Sequence, residues 1–141
     1  MGKRRGAAPP FSGLGHLRIF FLPSDWASSV PFYTRTLGIP LLEQDEARGF
    51  AVGLLAPGTT LSLERVDPSD PGELALAGRF VGVSLVVKDI RKAWKELTAQ
   101  GVMFDGPPQT QSWGGMINQF RDPAGNVLTL LQYPARKRRK A

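Results

Sequence analysis

The side chains that could do chemistry in this chain are few. There is one histidine, His16, and two positions on stands Arg18. In an extended segment this spacing puts both on one face. Ser62 and Glu64 repeat the same spacing in a later segment. A fixed guanidinium among apolar neighbours suits a carboxylate, phosphate or other anion. Glu64 is the one carboxylate of this set and the candidate for a general base. A second feature is Trp113-Gly114-Gly115-Met116, a ring followed by two glycines, which reads as a flap with a stacking surface. The chain has no cysteine. Disulfides, thiolate metal sites and thiol catalysis are therefore excluded, which fits a reducing, cytoplasmic setting.

These residues need elements to hold them. Leu14–Leu22 reads as a strand, rich in aromatic and β-branched residues and stopped by Pro23. Ser24 or Asp25 is expected to cap the helix that follows. Trp26, Val30, Phe32, Tyr33 and Leu37 recur at helical spacing and Gly38 closes the run. Pro31 fits only near a first turn, so the helix is expected to start later than Trp26. Pro40–Gln44, Gly49–Leu55 and Thr60–Val66 are short strands. The pattern then restarts. Phe80–Val87 is a strand, Asp89 caps a helix closed by Gly101, and Val102–Phe104, Met116–Arg121 and Asn126–Gln132 are strands. Strand–helix–strand–strand–strand thus occurs twice, with Asp25 and Asp89 set 64 positions apart.

The chain divides accordingly into a basic lead-in at 1–13, a first module at 14–66, a linker at 67–79, a second module at 80–133 and a basic tail at 134–141. The net charge of +6 belongs to the ends. Eight of the 18 cations lie in the lead-in and tail, which leaves 10 cations against 12 acids in the body. The tails read as solvated termini rather than as a nucleic-acid surface. No apolar run approaches the ~20 residues that would span a bilayer.

Two motifs carry a resemblance. Asp25, Phe32-Tyr33 and Leu37-Gly38 form the pattern D-x6-FY-x3-LG, and Phe120–Asn126 forms F-x-D-P-x-G-N. Together they resemble the vicinal oxygen chelate proteins, that is, the glyoxalase, bleomycin-resistance and dioxygenase families, over roughly residues 14–133. The resemblance implies an α+β fold of two βαβββ modules, whose curved mixed sheets surround a central cavity. It implies a homodimer, since many members are dimers. Metalloenzymes of this kind are lyases or dioxygenases that use His, Glu or Gln ligands on the first and last strand of each module. Other members carry no metal and sequester a drug or other small molecule.

Counted from the motifs, the resemblance marks Arg18, Ser62, Gly82 and Thr129 as the ligand places. Arginine cannot be a ligand and glycine has no side chain. A two-residue insertion before Asp25 would move His16 into the first place, with Glu64 as a second donor. Two donors make a poor site for Zn, Ni or Fe. The expectation is therefore no cofactor, with a metal-dependent lyase or dioxygenase as the alternative. The family's strand order would set Arg18 beside Glu64, where the two pair unless a ligand competes. Strand alternation places Arg18, Phe20, Ser84 and Thr129 toward the cavity, with Phe50, Glu64, Trp113 and Met116 completing its expected wall. The expected ligand is a small anionic or aromatic molecule.

Overall fold

The structure is a computed structural model and describes residues 6–135. The basic stretches at the two ends lie largely outside the described residues. In strand β1 (His16–Phe21), Leu17, Ile19 and Phe21 turn into the core, and the last two are buried. His16 and Arg18 face the other way and are exposed. This is the two-residue alternation of a half-buried strand.

Helix α1 (Pro23–Pro31) follows at once. Its cap is not Ser24 or Asp25, as the sequence suggests. The cap is Leu22, in extended backbone, with no side-chain bond. Pro23 takes the first helical position, where a missing N–H costs nothing. The expected late start is corrected too, because Pro31 ends the helix rather than beginning it. Pro31 has no N–H to give to the preceding turn, and the chain widens into a π-helical segment, Phe32–Thr36. Leu37 N–H closes it on Phe32 O at 2.9 Å. The wide turn carries both aromatic residues of the first motif. Tyr33 packs edge-on to Phe21 at 5.9 Å between centroids, and Phe32 reaches Phe120 of the second module at 6.3 Å.

Strands β2 (Leu41–Asp45), β3 (Phe50–Ala56) and β4 (Thr59–Arg65) complete the first sheet, in the order β1-β4-β3-β2 with β1 and β4 parallel. The linker holds one turn of helix, α2 (Pro71–Leu74), capped by the Asp70 carboxylate on Gly72 and Glu73 N–H. The second module comprises β5 (Phe80–Val86), α3 (Ile90–Ala99), β6 (Met103–Phe104), β7 (Gln109–Thr110), β8 (Met116–Arg121) and β9 (Val127–Gln132). Asp89 caps α3 as expected, its Oδ1 accepting from Lys92 N–H at 3.0 Å. The second sheet runs β5-β9-β8-β6, and the two-residue β7, unmarked in the sequence, also pairs with β8.

Helix α1 packs on β1 and β4, and α3 on β6, β8 and β9. One continuous core joins the helix sides of both sheets, from Ile19, Phe21, Tyr33 and Leu63 to Ile90, Phe120, Leu128 and Leu130. That leaves the opposite faces of the two sheets. The chain alone does not roof them: Phe80 and Val86 on the second sheet are 55% and 61% exposed. Among the described residues no helix is long and apolar enough to cross a membrane.

Candidate functional site

On the open face of the first sheet, strand register sets Arg18 beside Ser62, and Phe20 and Phe50 on either side of Glu64. The parallel pairing of β1 and β4 brings the guanidinium onto the carboxylate. Arg18 Nε donates to Glu64 Oε2 at 2.7 Å and Nη2 to Oε1 at 2.8 Å, a two-pronged charge-assisted contact. Ser62 Oγ adds a bond to Oε2 at 3.1 Å. The Arg18 guanidinium also lies 5.2 Å from the Phe20 ring centroid. The hydrogen bonds from Arg18 hold the Glu64 carboxyl below its ordinary range, against the opposing pull of partial burial. The same pair raises the Arg18 pKa. Arg18 nonetheless stays open to solvent, with 58% of its side chain exposed. His16 stands at the end of this row, its Nδ1 2.6 Å from Thr60 Oγ1, which itself donates to Gly15 O at 3.0 Å.

The second sheet offers a different surface. Ser84, not Gly82, stands beside Thr129, because β5 carries a bulge between Phe80 and Ser84. Gly82 sits in that bulge at φ +77°, where a side chain would be strained. The face is uncharged there, with Ser84 exposed and Thr129 buried.

Between the modules lies a polar clasp that the motifs alone do not reveal. Tyr33 Oη donates to Asp122 Oδ2 at 2.7 Å, and Asn126 Nδ2 donates to the same oxygen at 2.9 Å. Asp122 Oδ1 accepts the Ala124 and Asn126 N–H groups, both at 2.9 Å. Asn126 also bonds outward, its Nδ2 to Phe20 O at 3.1 Å and its Oδ1 to the N–H of Gly78 at 2.9 Å and of Arg79 at 3.1 Å. Burial, then the Asp122 charge, pushes the Tyr33 phenol well above its ordinary pKa. The two sequence motifs thus meet each other and tie β1 to the linker.

With this geometry the comparisons are specific. The family model for the glyoxalase/bleomycin resistance protein/dioxygenase superfamily matches residues 13–130. The chain belongs to this superfamily. A superfamily member from Sphaerobacter thermophilus DSM 20745 shares 29% identity over 87% of this chain and 98% of its own, at a TM-score of 0.71. TnmS3, described as an antibiotic binding protein from Streptomyces sp. CB03234, shares 29% identity over 91% of this chain and all of its own, at a TM-score of 0.70. The lactoylglutathione lyase of Agrobacterium tumefaciens shares the fold, with 16% identity over 88% of this chain and 96% of its own and a TM-score of 0.67. A search of curated protein sequences finds no match.

The metal chemistry known in this superfamily can be tested against the side chains present. Arg18 and Ser62 adjoin on the first sheet, and Ser84 and Thr129 on the second. None is a carboxylate or imidazole. Glu64 is taken up by Arg18, and His16 is engaged with Thr60. Among the described residues no group of three or more His, Cys, Asp or Glu side chains is placed to hold an ion. The residues of the open faces do not fit a divalent metal.

The sequence candidates therefore separate. Arg18, Phe20, Phe50 and Glu64 come together on the first sheet, and Ser84 and Thr129 on the second. Trp113 is 52% exposed and stands 6.4 Å from the Tyr133 ring in a turn closed by Gln111 N–H to Gly115 O. Met116 is a correction. It shares the helix-side face of β8 with Phe120 and packs against the core, so it does not line the open face.

Proposed function

We propose that this protein binds a small anionic or aromatic molecule on the open face of the first sheet, without a metal. The observation that carries this reading is the Arg18–Glu64 pair. It is an exposed guanidinium with two-pronged geometry, flanked by Phe20 and Phe50, on a surface with no metal-donor set. A ligand carboxylate or sulfonate can share Arg18 with Glu64, since the pair uses only two of the five guanidinium N–H groups. The similarity to TnmS3, named for antibiotic binding, supports the same reading. A second copy of the chain would cover Phe80 and Val86 and turn the open face into a pocket, so the working form is a homodimer.

The test is a thermal-shift screen of antibiotics and aromatic acids in the presence of a chelator. A ligand that binds the folded state raises the melting temperature by mass action. Stabilisation by one structural class, lost in Arg18→Gln, is the expected result. A panel without hits, or stoichiometric Zn, Ni, Fe or Mn retained through dialysis, would contradict it.

A further inference from the structure

Beside the Arg18 face a groove of about 300 Å³ runs along the seam between the modules, lined by Arg18, Phe20, Leu76, Arg79, Val81 and Asn126. We infer that Arg79 is the ionic anchor of this groove, and that the ligand is a single-charged anion with an apolar, planar body. The inference rests on the proposed function and adds a residue and a charge to it.

Charge decides between the two arginines. Arg18 is neutralised in two-pronged fashion by Glu64. The ion pairs among the described residues are Arg18–Glu64, Arg48–Asp45, Lys92–Glu96 and Arg121–Asp105. Arg79 has no carboxylate among them. The groove thus carries one uncompensated positive charge, which one ligand anion balances.

The Arg79 main chain is held in place at the groove rim, with the side chain exposed. Its N–H donates to Asn126 Oδ1 at 3.1 Å and its carbonyl accepts from Val127 N–H at 2.9 Å. Gly78 before it sits at φ +70°, where an added Cβ would meet Ala124 O at 3.2 Å. The same Asn126 side chain bonds Phe20 O across the groove at 3.1 Å. One buried amide therefore fixes the main chain from which both walls project, at Phe20 on one side and Arg79 on the other. Such a pre-set gap lowers the ordering cost of binding. Leu76 and Val81 supply the apolar lining, and the Phe20 ring offers a stacking face.

The experiment uses two fluorescent probes of similar shape. One is 8-anilinonaphthalene-1-sulfonate, an aromatic anion; the other is N-phenyl-1-naphthylamine, which has no charge. Both are titrated into the full chain and into Arg79→Gln, Arg79→Lys and Arg18→Gln, each checked for an unchanged melting transition. Arg79→Gln should weaken the sulfonate about tenfold, the size of one lost charge-assisted contact. The neutral probe should be unaffected and Arg79→Lys should recover most of the loss. An unchanged sulfonate affinity in Arg79→Gln, or equal loss of both probes, overturns the assignment. If Arg18→Gln alone weakens the sulfonate, the role of Arg79 fails and the proposed open-face site stands. If neither probe binds the wild type, both fail.

Discussion

Two carboxylates organise this molecule, and they do opposite things. Asp122 is buried and saturated. Its two oxygens accept from Tyr33 Oη, Asn126 Nδ2 and two backbone N–H groups. Glu64 lies on an open face and takes its bonds from Arg18, a side chain left 58% exposed, and from Ser62. The first hub leaves no capacity for a ligand and locks two modules together. The second holds a cation that an incoming anion can share or take. Polar groups of the same kind serve architecture where they are satisfied and dry, and are free to serve the recognition proposed above where they are paired but wet.

The comparison can be broken most easily at the clasp. Asn126→Ala should cost about 3 kcal/mol or more, because the Gly78 and Arg79 N–H groups and Phe20 O lose their partner. Differential scanning calorimetry should read a fall in Tm of roughly 10 °C. A loss too small to measure would mean that the clasp is decoration.

Tyr33→Phe removes one donor to Asp122 and should cost about 1–2 kcal/mol at neutral pH. It carries a pH signature. The phenol titrates above its usual 10.0 in the folded state, so its contribution is complete below that pH and fades as pH rises above it. Wild type and Tyr33→Phe should therefore converge in alkaline urea melts. A constant gap up to strongly alkaline pH would contradict the buried-phenol account.

Glu64→Gln should be the mildest of the three, under about 1 kcal/mol, because the pair is solvent-screened. The Glu64 pKa is lowered from 4.5 in the folded state. Its contribution is therefore present above that pH and is lost as pH falls through the depressed value. The difference between wild type and Glu64→Gln should shrink in denaturant melts taken from pH 6 toward pH 3. If Glu64→Gln destabilises as much as Asn126→Ala, the contrast between the two hubs is wrong.

Much of this was legible in the sequence where a local rule decides it. Strand period placed Arg18, Phe20 and Glu64 on one face, and the repeated strand–Asp–helix–Gly pattern marked two modules. The misreadings came where a rule had a competitor. Pro23 at the helix start displaced the expected side-chain cap, and a π turn absorbed Pro31. The bulge at Gly82, which sets Ser84 beside Thr129, had no signal in the sequence. Met116 joined the expected wall with the Trp113–Met116 flap, whereas its strand turns it to the core. The clasp was out of reach for another reason. Tyr33 and Asp122 are 89 positions apart, and no local pattern announces a side-chain bond between them. Arg79 lies in the linker, and no local pattern announces the bond of its N–H to Asn126.

The account turns on metal-free recognition at the Arg18 face. Its most direct test is a calorimetric titration of the best-stabilising compound into the chelator-treated protein, repeated with added Zn or Ni. The account predicts saturable binding of one molecule per chain, with the same affinity in both conditions. Binding that appears only when the metal is restored would contradict it.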